Sequence, residues 1–295
     1  MSLSFEPLAL IHQPVIDDLL RKHPPEVSEL TFTNLFIWRH YYRFQVAFSQ
    51  GLLTLLAHPP DQSPFFLPPL GEGDFLRWVE TCLNYLKELG LVPCIGRLSK
   101  TSLDTLSSFP GTKAVLDRDN SDYVYHTRDL IQLSGNRYHT PKNHLNRFLK
   151  THSWEYLSLT PQLVSECLDL QDEWCRLRQC LESPSLLSEE QAIIEALKHI
   201  DFLNYRGGVV RVDGKVEAFT LGELLNPLTV VIHIEKANPD LPGLYQLIQQ
   251  QFLQKEWGPI PHVNREQDLG VEGLRKAKQS YHPAFMIDKF QLLLA

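Results

Sequence analysis

A β-hairpin is predicted in each half of this 295-residue chain. In the second half, Asp213-Gly214 separates two apolar strands, and Asp-Gly is a strong signal for a two-residue hairpin turn. In the first half, Ser49-Gln50-Gly51 separates Tyr41–Phe48 from Leu52–His58. A helix precedes each hairpin, and a strand, a helix, a strand, a short helix and a strand follow it. The chain therefore reads as one architecture present twice, without an obvious repeat in sequence.

The two halves predict a mixed α/β (α+β) fold. Apolar residues recur with helical spacing in Asp74–Leu89 and Leu244–Lys255, whereas Tyr123–Leu133 and Phe285–Leu294 read as strands. We predict two tandem domains, each a mixed twisted sheet with flanking helices. Residues 1–135 form the first, and residues 136–295 form a linking helix plus the second.

Composition excludes several classes of protein. The formal net charge is −7 and 43% of the residues are hydrophobic, which excludes a mainly disordered chain and a general nucleic-acid coat protein. No apolar run reaches the roughly 18 residues that a membrane-spanning helix needs. Five cysteines, without a signal peptide or a CxxC pair, predict reduced thiols, a cytoplasmic location and no metal site.

The segment NREQDLGVEGLRKAKQSYHP follows a predicted strand and begins a predicted helix. Asn264, Glu266 and Asp268 alternate, so on an extended chain their side chains share one face. Gly270 suits the tight turn into the helix, and Gly273 is expected to allow close packing.

Two cations, Arg275 and Lys278, follow these carboxylates. They lie three residues apart on the predicted helix, so their side chains are neighbours on its surface. Charges of both signs beside a strand that should be buried indicate a functional site. We predict Glu266 and Asp268 as catalytic residues, and Asn264, Arg275, Lys278 and Tyr281 as substrate-binding residues. The alternative is a solvated strand end with ordinary helix charges.

Glu235 ends the strand Thr229–Glu235, with His233 two residues earlier on the same face. A carboxylate at a strand end in a cleft suits a general base, so Glu235 is a third catalytic candidate. His233 is a substrate-binding candidate, and the alternative is a core histidine with satisfied hydrogen bonds. Glu223 is expected near the same cleft.

A local basic segment lies between the halves. Arg137, Lys142, Arg147 and Lys150 occur with Tyr138 in a stretch without acidic residues. Phosphate contacts and aromatic stacking are how such segments bind RNA, so we predict these four cations as nucleic-acid-binding residues. The alternative is a solvated linking helix whose apolar side packs inward.

Four segments resemble a known family. They are FTNLFIW (Phe32–Trp38), LSGNRYHTPKNHLNRF (Leu133–Phe148), HIEKAN (His233–Asn238) and the C-terminal segment Asn264–Pro283. All are similar to the soluble aminoacyltransferase domain of phosphatidylglycerol lysyltransferases, and the resemblance spans about residues 30 to 290. The order of elements in each half likewise resembles the GNAT N-acyltransferase fold.

The resemblance implies an activity and a place for it. In GNAT folds the substrates meet where the sheet splits between its fourth and fifth strands. The family implies transfer of an aminoacyl group from aminoacyl-tRNA to an amine or hydroxyl acceptor. We expect direct attack on the ester carbonyl, with no cofactor, no metal and no covalent intermediate. Lipid-modifying members join this domain to a multi-helix membrane segment that this sequence lacks, so the acceptor stays open between a lipid and a small molecule.

Roles follow for the candidate residues. Glu266 or Asp268 would orient or deprotonate the nucleophile, or hold the ammonium of the amino acid. Backbone N–H groups of Thr229–Glu235 would stabilise the oxyanion, and Arg275 and Lys278 would bind a carboxylate, a phosphate or the tRNA 3′ end. The first half has no counterpart of this set and is expected to be a non-catalytic copy.

Two alternative functions remain. One is an acyl-CoA-dependent N-acyltransferase, and the other is a GNAT-like binding module without catalysis. The loops NPDLPG (Asn238–Gly243) and PPLGEG (Pro68–Gly73) speak against CoA, because prolines remove N–H donors and acidic residues repel pyrophosphate.

Overall fold

The computed structural model describes residues 3–106 and 109–294. The strands are β1 (Glu6–Pro7), β2 (Gln45–Ser49), β3 (Leu52–Ala57), β4 (Phe65–Phe66), β5 (Leu70–Gly71), β6 (Cys94–Leu98), β7 (Thr112–Leu116), β8 (Asp122–His126), β9 (Trp154–Ser158), β10 (Arg206–Val212), β11 (Lys215–Asn226), β12 (Thr229–Ala237), β13 (His262–Asn264), β14 (Phe285–Ile287) and β15 (Phe290–Leu294). The α-helices are α1 (Gln13–Lys22), α2 (Phe32–Ile37), α3 (Arg39–Tyr42), α4 (Phe75–Glu88), α5 (Lys100–Leu106), α6 (Thr127–Gln132), α7 (His139–Thr151), α8 (Val164–Arg178), α9 (Pro184–Lys198), α10 (Leu244–Glu256) and α11 (Glu272–Gln279).

Two mixed sheets organise these elements. The first has the order β1-β2-β3-β4-β6-β15-β7, with β5 paired to β3, and the second has the order β14-β8-β13-β12-β11-β10-β9. The β4–β6 pair in the first sheet and the β12–β13 pair in the second are parallel. Two mixed sheets with flanking helices confirm the predicted fold class.

The chain forms two compact units that exchange segments. Unit 1 comprises the described residues up to Asp122, together with Gln267–Arg275 and those from Met286 onward. Unit 2 comprises Tyr123–Glu266 and Lys276–Phe285. The units therefore differ from a single cut at residue 135, since the C-terminal strand β15 lies in the first sheet between β6 and β7.

Both predicted hairpins are present. Gln50 and Gly51 have φ of 55° and 80°, and Asp213 and Gly214 have φ of 52° and 86°. Positive φ at both central residues gives the turn the twist of the flanking strands. The first hairpin strand begins later than predicted, because Tyr41 and Tyr42 belong to α3.

Two predicted strands are wrong in extent. The chain predicted as the strand Tyr123–Leu133 turns into α6 after His126, where the buried residues Thr127 and Leu130 lie three apart on one helix face. Phe285–Leu294 is two strands in different sheets. Lys289, between them, is fully buried and its ammonium lies 2.6 Å from the Asp122 carboxylate.

Each unit has its own apolar core. In unit 1, Trp78 and Leu83 of the amphipathic α4 pack with Ile95 and Leu292. In unit 2, the apolar side of α7 packs on α10, through residues such as Phe148. None of the described helices is long and apolar enough to cross a bilayer.

Cys175 and Cys180 form a disulfide, which corrects the expectation of reduced thiols at these two positions. Gln179 ends α8 in a left-handed conformation with φ of 53°, and this turn brings Cys180 back to Cys175. The pair packs against Trp174. Cys82, Cys94 and Cys167 are buried free thiols.

Candidate active site

The strands β12 and β13 part after a short parallel ladder in unit 2. Thr229 pairs with His262, and Val231 pairs with Asn264. β12 then continues to Ala237, whereas β13 ends at Asn264. The edge of β12 beyond Val231 is thus where the second sheet splits, and the candidate residues of unit 2 lie around it.

His233 is a bulged residue on β12. Ile232 pairs with Gly222 and Ile234 pairs with Leu221, so His233 is the extra residue against β11. A β-bulge bends a strand and redirects a side chain, and bulges are enriched beside active sites. Here the bulge comes two residues past the last β12–β13 pair.

The His233 ring lies between two carboxylates. Nδ1 is 2.9 Å from Oε1 of Glu266, and Nε2 is 2.9 Å from Oε1 of Glu223. The His233 side chain is 1% exposed, against 9% for Glu223 and 16% for Glu266. Burial alone would lower the pKa of His233, but its hydrogen bonds to Glu223 and then to Glu266 outweigh burial and raise the pKa to about 9. At neutral pH His233 is therefore an imidazolium that donates to both carboxylates.

Glu266 is held in an unusual backbone conformation. Its φ is +58°, which non-glycine residues rarely adopt. The buried Asn264 side chain accepts a hydrogen bond of 2.7 Å from the Glu266 N–H, and the Glu266 carbonyl accepts one from the Tyr123 N–H. A rare conformation that several contacts enforce is typical of functional sites.

Glu235 and Arg265 form a second ion pair beside this site. Arg265 donates a hydrogen bond of 2.9 Å to Glu235. Burial raises the pKa of Glu235, although Arg265 and Lys278 oppose it. Lys278 donates to the Arg265 carbonyl, and the Arg265 guanidinium lies 5.3 Å from the centre of the Tyr281 ring. Unit 2 thus brings together His233, Glu235 and the segment around Glu266.

Asp268 and Arg275 form a separate cluster in unit 1. The Asp268 carboxylate is fully buried and accepts two hydrogen bonds from Arg275, one from Arg118 and one from the Gly270 N–H. Arg275 also donates to Asp119. The predicted set is therefore divided, with Asp268 and Arg275 in unit 1 and Glu266, Lys278 and Tyr281 in unit 2.

The two glycines of this segment differ. Gly270 has φ of +73° and suits the turn, as predicted. The expectation of close packing at Gly273 is wrong, because a Cβ there would meet nothing within 4 Å.

The basic segment lies on the surface of unit 2. Lys142, Arg147 and Lys150 are exposed on α7, which has no acidic residue. Thr140, Asn143, His144 and Arg147 line a shallow pocket of about 250 Å³. Arg137 precedes α7 and donates to Asp129.

Sequence reasoning missed three partners. Glu223 was expected near the cleft but not as a partner of His233, and Arg118 and Arg265 were not predicted as site residues. A cue for Arg265 was present, because it immediately follows β13. Arg118 and Asp268 are far apart in sequence and gave no such cue. In residues 3–106 and 109–294, no group of three or more His, Cys, Asp or Glu side chains is arranged to hold a metal ion.

Comparison with known proteins identifies the family of this chain. The family described as phosphatidylglycerol lysyltransferase, C-terminal, matches residues 21–292. The chain belongs to that family. This match confirms the predicted resemblance, and the two mixed sheets with their flanking helices confirm the predicted mixed α/β fold class.

Three proteins of known structure share this fold. A conserved protein of unknown function from Bacteroides thetaiotaomicron is 31% identical, with a TM-score of 0.92 and full coverage of both chains. The C-terminal domain of a putative lysylphosphatidylglycerol synthetase from Agrobacterium fabrum is 14% identical, with a TM-score of 0.69 over 97% of this chain and 92% of that one. L-PGS from Bacillus licheniformis is also 14% identical, with a TM-score of 0.65 over 95% and 91%. The last two likenesses show the fold alone.

A relative in sequence comes from Mycoplasmoides gallisepticum. This uncharacterized protein is 23% identical over 245 residues, which are 78% of this chain and 75% of the relative.

Proposed function

We propose that the chain transfers an aminoacyl group from aminoacyl-tRNA to an amine or hydroxyl acceptor, and that unit 2 carries the reaction. The observation that carries the proposal is the contact between Glu266 and His233, which puts a carboxylate beside β12 where β12 parts from β13. Membership of the lysyltransferase family supports an aminoacyl group as the one transferred.

The transfer step uses Glu266 as a proton acceptor. The nitrogen or oxygen of the acceptor attacks the ester carbonyl carbon and forms an amide or ester bond. The bond from that carbon to the ribose oxygen of the tRNA breaks. The acceptor's proton passes to the Glu266 carboxylate and then to the ribose oxygen, so the carboxylate is regenerated. Backbone N–H groups of β12 past Val231 supply hydrogen bonds to the oxyanion.

The exposed face of α7 supports a tRNA donor. Lys142, Arg147 and Lys150 give it three positive charges in a chain of net charge −7. Such a face attracts phosphates, whereas the rest of an acidic protein repels them.

Geometry at the start of α10 favours an aminoacyl ester over an acyl-CoA thioester. In the loop before α10, the Asp240 N–H is taken by the Asn238 side chain. Gly243, with φ of +103°, lies so close to α7 that a Cβ would be 2.4 Å from the His144 carbonyl oxygen. The His144 carbonyl oxygen and the Asp240 carboxylate carry negative charge near the start of α10, and this charge disfavours binding of a pyrophosphate there.

The decisive experiment supplies radiolabelled aminoacyl-tRNAs together with a lipid and metabolite extract and separates the labelled products. We expect one labelled product, and Glu266→Gln should lower its rate by about 100-fold or more. Glu217→Gln is the control, because it removes the charge of another glutamate of unit 2, a buried one on β11 that accepts a hydrogen bond from Asn238. Transfer of label from acyl-CoA but not from aminoacyl-tRNA in a parallel assay would replace this proposal with a CoA-dependent acyltransferase. Calorimetric binding of CoA but not of aminoacyl-tRNA would do the same.

A further inference from the structure

We infer that Glu223 is a positioning residue, which acts through His233 to hold the Glu266 carboxylate in one orientation. This inference deepens the proposed function and rests on it for the role of Glu266. No contact of Glu223 with the acceptor or the aminoacyl group is required.

The geometry forms a chain of three side chains across two strands and a turn. Glu223 lies on β11, His233 on the bulge of β12, and Glu266 on the turn after β13. Because both ring nitrogens of His233 are engaged at 2.9 Å, the ring has no rotational freedom without the loss of a hydrogen bond. Movement of Glu223 would therefore be transmitted to Glu266.

The charges of the two carboxylates favour protonation of His233. Glu223 from β11 and Glu266 from the turn after β13 face the two ring nitrogens of His233, and both favour its protonated form. With Glu223 neutralised, His233 keeps one charged partner in place of two, and its proton is lost at a lower pH.

The first test needs no turnover. Side-chain NMR of ¹⁵N-histidine-labelled protein measures the protonation of His233, assigned with His233→Asn. We expect titration near pH 9 in the native protein and, in Glu223→Gln, nearer the ordinary value of about 6.5. Glutamine keeps an oxygen that can accept from Nε2 but removes the charge. Glu217→Gln, the buried control on the same strand, should leave the titration unchanged.

The second test uses the pH dependence of the transfer rate. Glu223→Gln should lower kcat by about 10- to 100-fold, as a misplaced catalytic group does, and shift the alkaline loss of activity to lower pH. Glu223→Asp keeps the charge and should restore the native pH profile. A purely structural role for Glu223 would reduce the amount of folded enzyme without moving the profile.

The outcomes separate the two hypotheses. Native titration of His233 near or below pH 6.5, or no change of it in both Glu223→Gln and Glu223→Asp, overturns the positioning role whatever the activity. A titration near 9 that falls in Glu223→Gln, in a protein that transfers no aminoacyl group, supports the positioning of Glu266 and overturns the proposed reaction instead.

Discussion

Arg275 donates two hydrogen bonds of 2.9 Å to the buried Asp268 carboxylate, one to each oxygen. Arg118 and the Gly270 N–H donate to the same carboxylate. A carboxylate with its oxygens engaged in this way is poorly suited to accept a proton from a substrate. We therefore expect Asp268 to position Arg275 and the surrounding turn rather than to act as a base.

Asp268→Asn should lower the free energy of unfolding by about 2 kcal/mol or more. The reason is that an amide N–H₂, which cannot accept, would replace a carboxylate oxygen that accepts hydrogen bonds from arginine donors. Denaturant unfolding of the purified variant measures this. Asp119→Asn is the control, since its side chain is 59% exposed and its pair with Arg275 should contribute little. Equal losses in the two variants would contradict the assigned role of Asp268.

Stability should fall as the pH rises past neutrality because of His233. Its pKa is raised to about 9 in the folded protein, against 6.5 in the unfolded chain. The stabilisation is complete below pH 6.5 and is lost as the pH rises through 9, by about 3 kcal/mol in all. Unfolding curves between pH 6 and 9.5 should show this loss in the native protein but not in His233→Asn. His262, whose pKa burial lowers, should affect stability only below pH 6.5.

Removal of the positive charges of α7 should weaken tRNA binding, most strongly at low salt, and make it less dependent on salt. Each of Lys142→Ala, Arg147→Ala and Lys150→Ala should reduce the slope of log affinity against log salt by about 0.7 to 0.9 if that side chain contacts a phosphate. Filter binding at several salt concentrations measures the slope. Lys255→Ala, an exposed lysine at the end of α10, should leave it unchanged.

Substitution of alanine at Gly243 and at Gly273 should change the free energy of unfolding in opposite directions. Gly243→Ala should lower the free energy of unfolding by about 1 to 3 kcal/mol, because the backbone has φ of +103° and the methyl group would meet the His144 carbonyl. Gly273→Ala, on an open face of α11, should raise it by about 0.5 to 1 kcal/mol. Thermal melting of both variants compares them directly.

Thiol titration should detect three reactive cysteines before reduction and five after it. Denatured protein without reductant should react through Cys82, Cys94 and Cys167, and reduction should add Cys175 and Cys180. The short loop that this disulfide closes predicts a stabilisation of roughly 2 kcal/mol. Five reactive thiols before reduction would show that the bond is absent from the purified protein.

Turns and amphipathic helices that depend on residues adjacent in the chain were predicted from the sequence. Asp213-Gly214 sets a tight turn by its own backbone preferences, and the spacing of Trp78, Leu83 and Leu86 determines the buried side of α4. Such features depend on neighbours in the chain. For that reason both hairpin turns were predicted, and the predicted bounds of α4 and α10 agree with the structure to within one residue.

Features that depend on distant residues were not predicted. The exchange of β15 into the first sheet follows from pairing with β6 and β7, which no local pattern reveals. The alternation of Glu266 and Asp268 suggested one shared face, but the left-handed φ at Glu266 and Leu269 turns the chain between and after them. The role of Glu223 required the bulge at His233, which is a property of the β11–β12 register.

The position of β15 has a consequence for biosynthesis. Because β15 lies between β6 and β7, these two earlier strands cannot reach their final pairing until β15 has been synthesised. Translation proceeds from the N-terminus, so all of unit 2 is synthesised after β7 and before its neighbour β15. A nascent chain truncated before Phe290 should therefore leave β6 and β7 with open edges that invite aggregation.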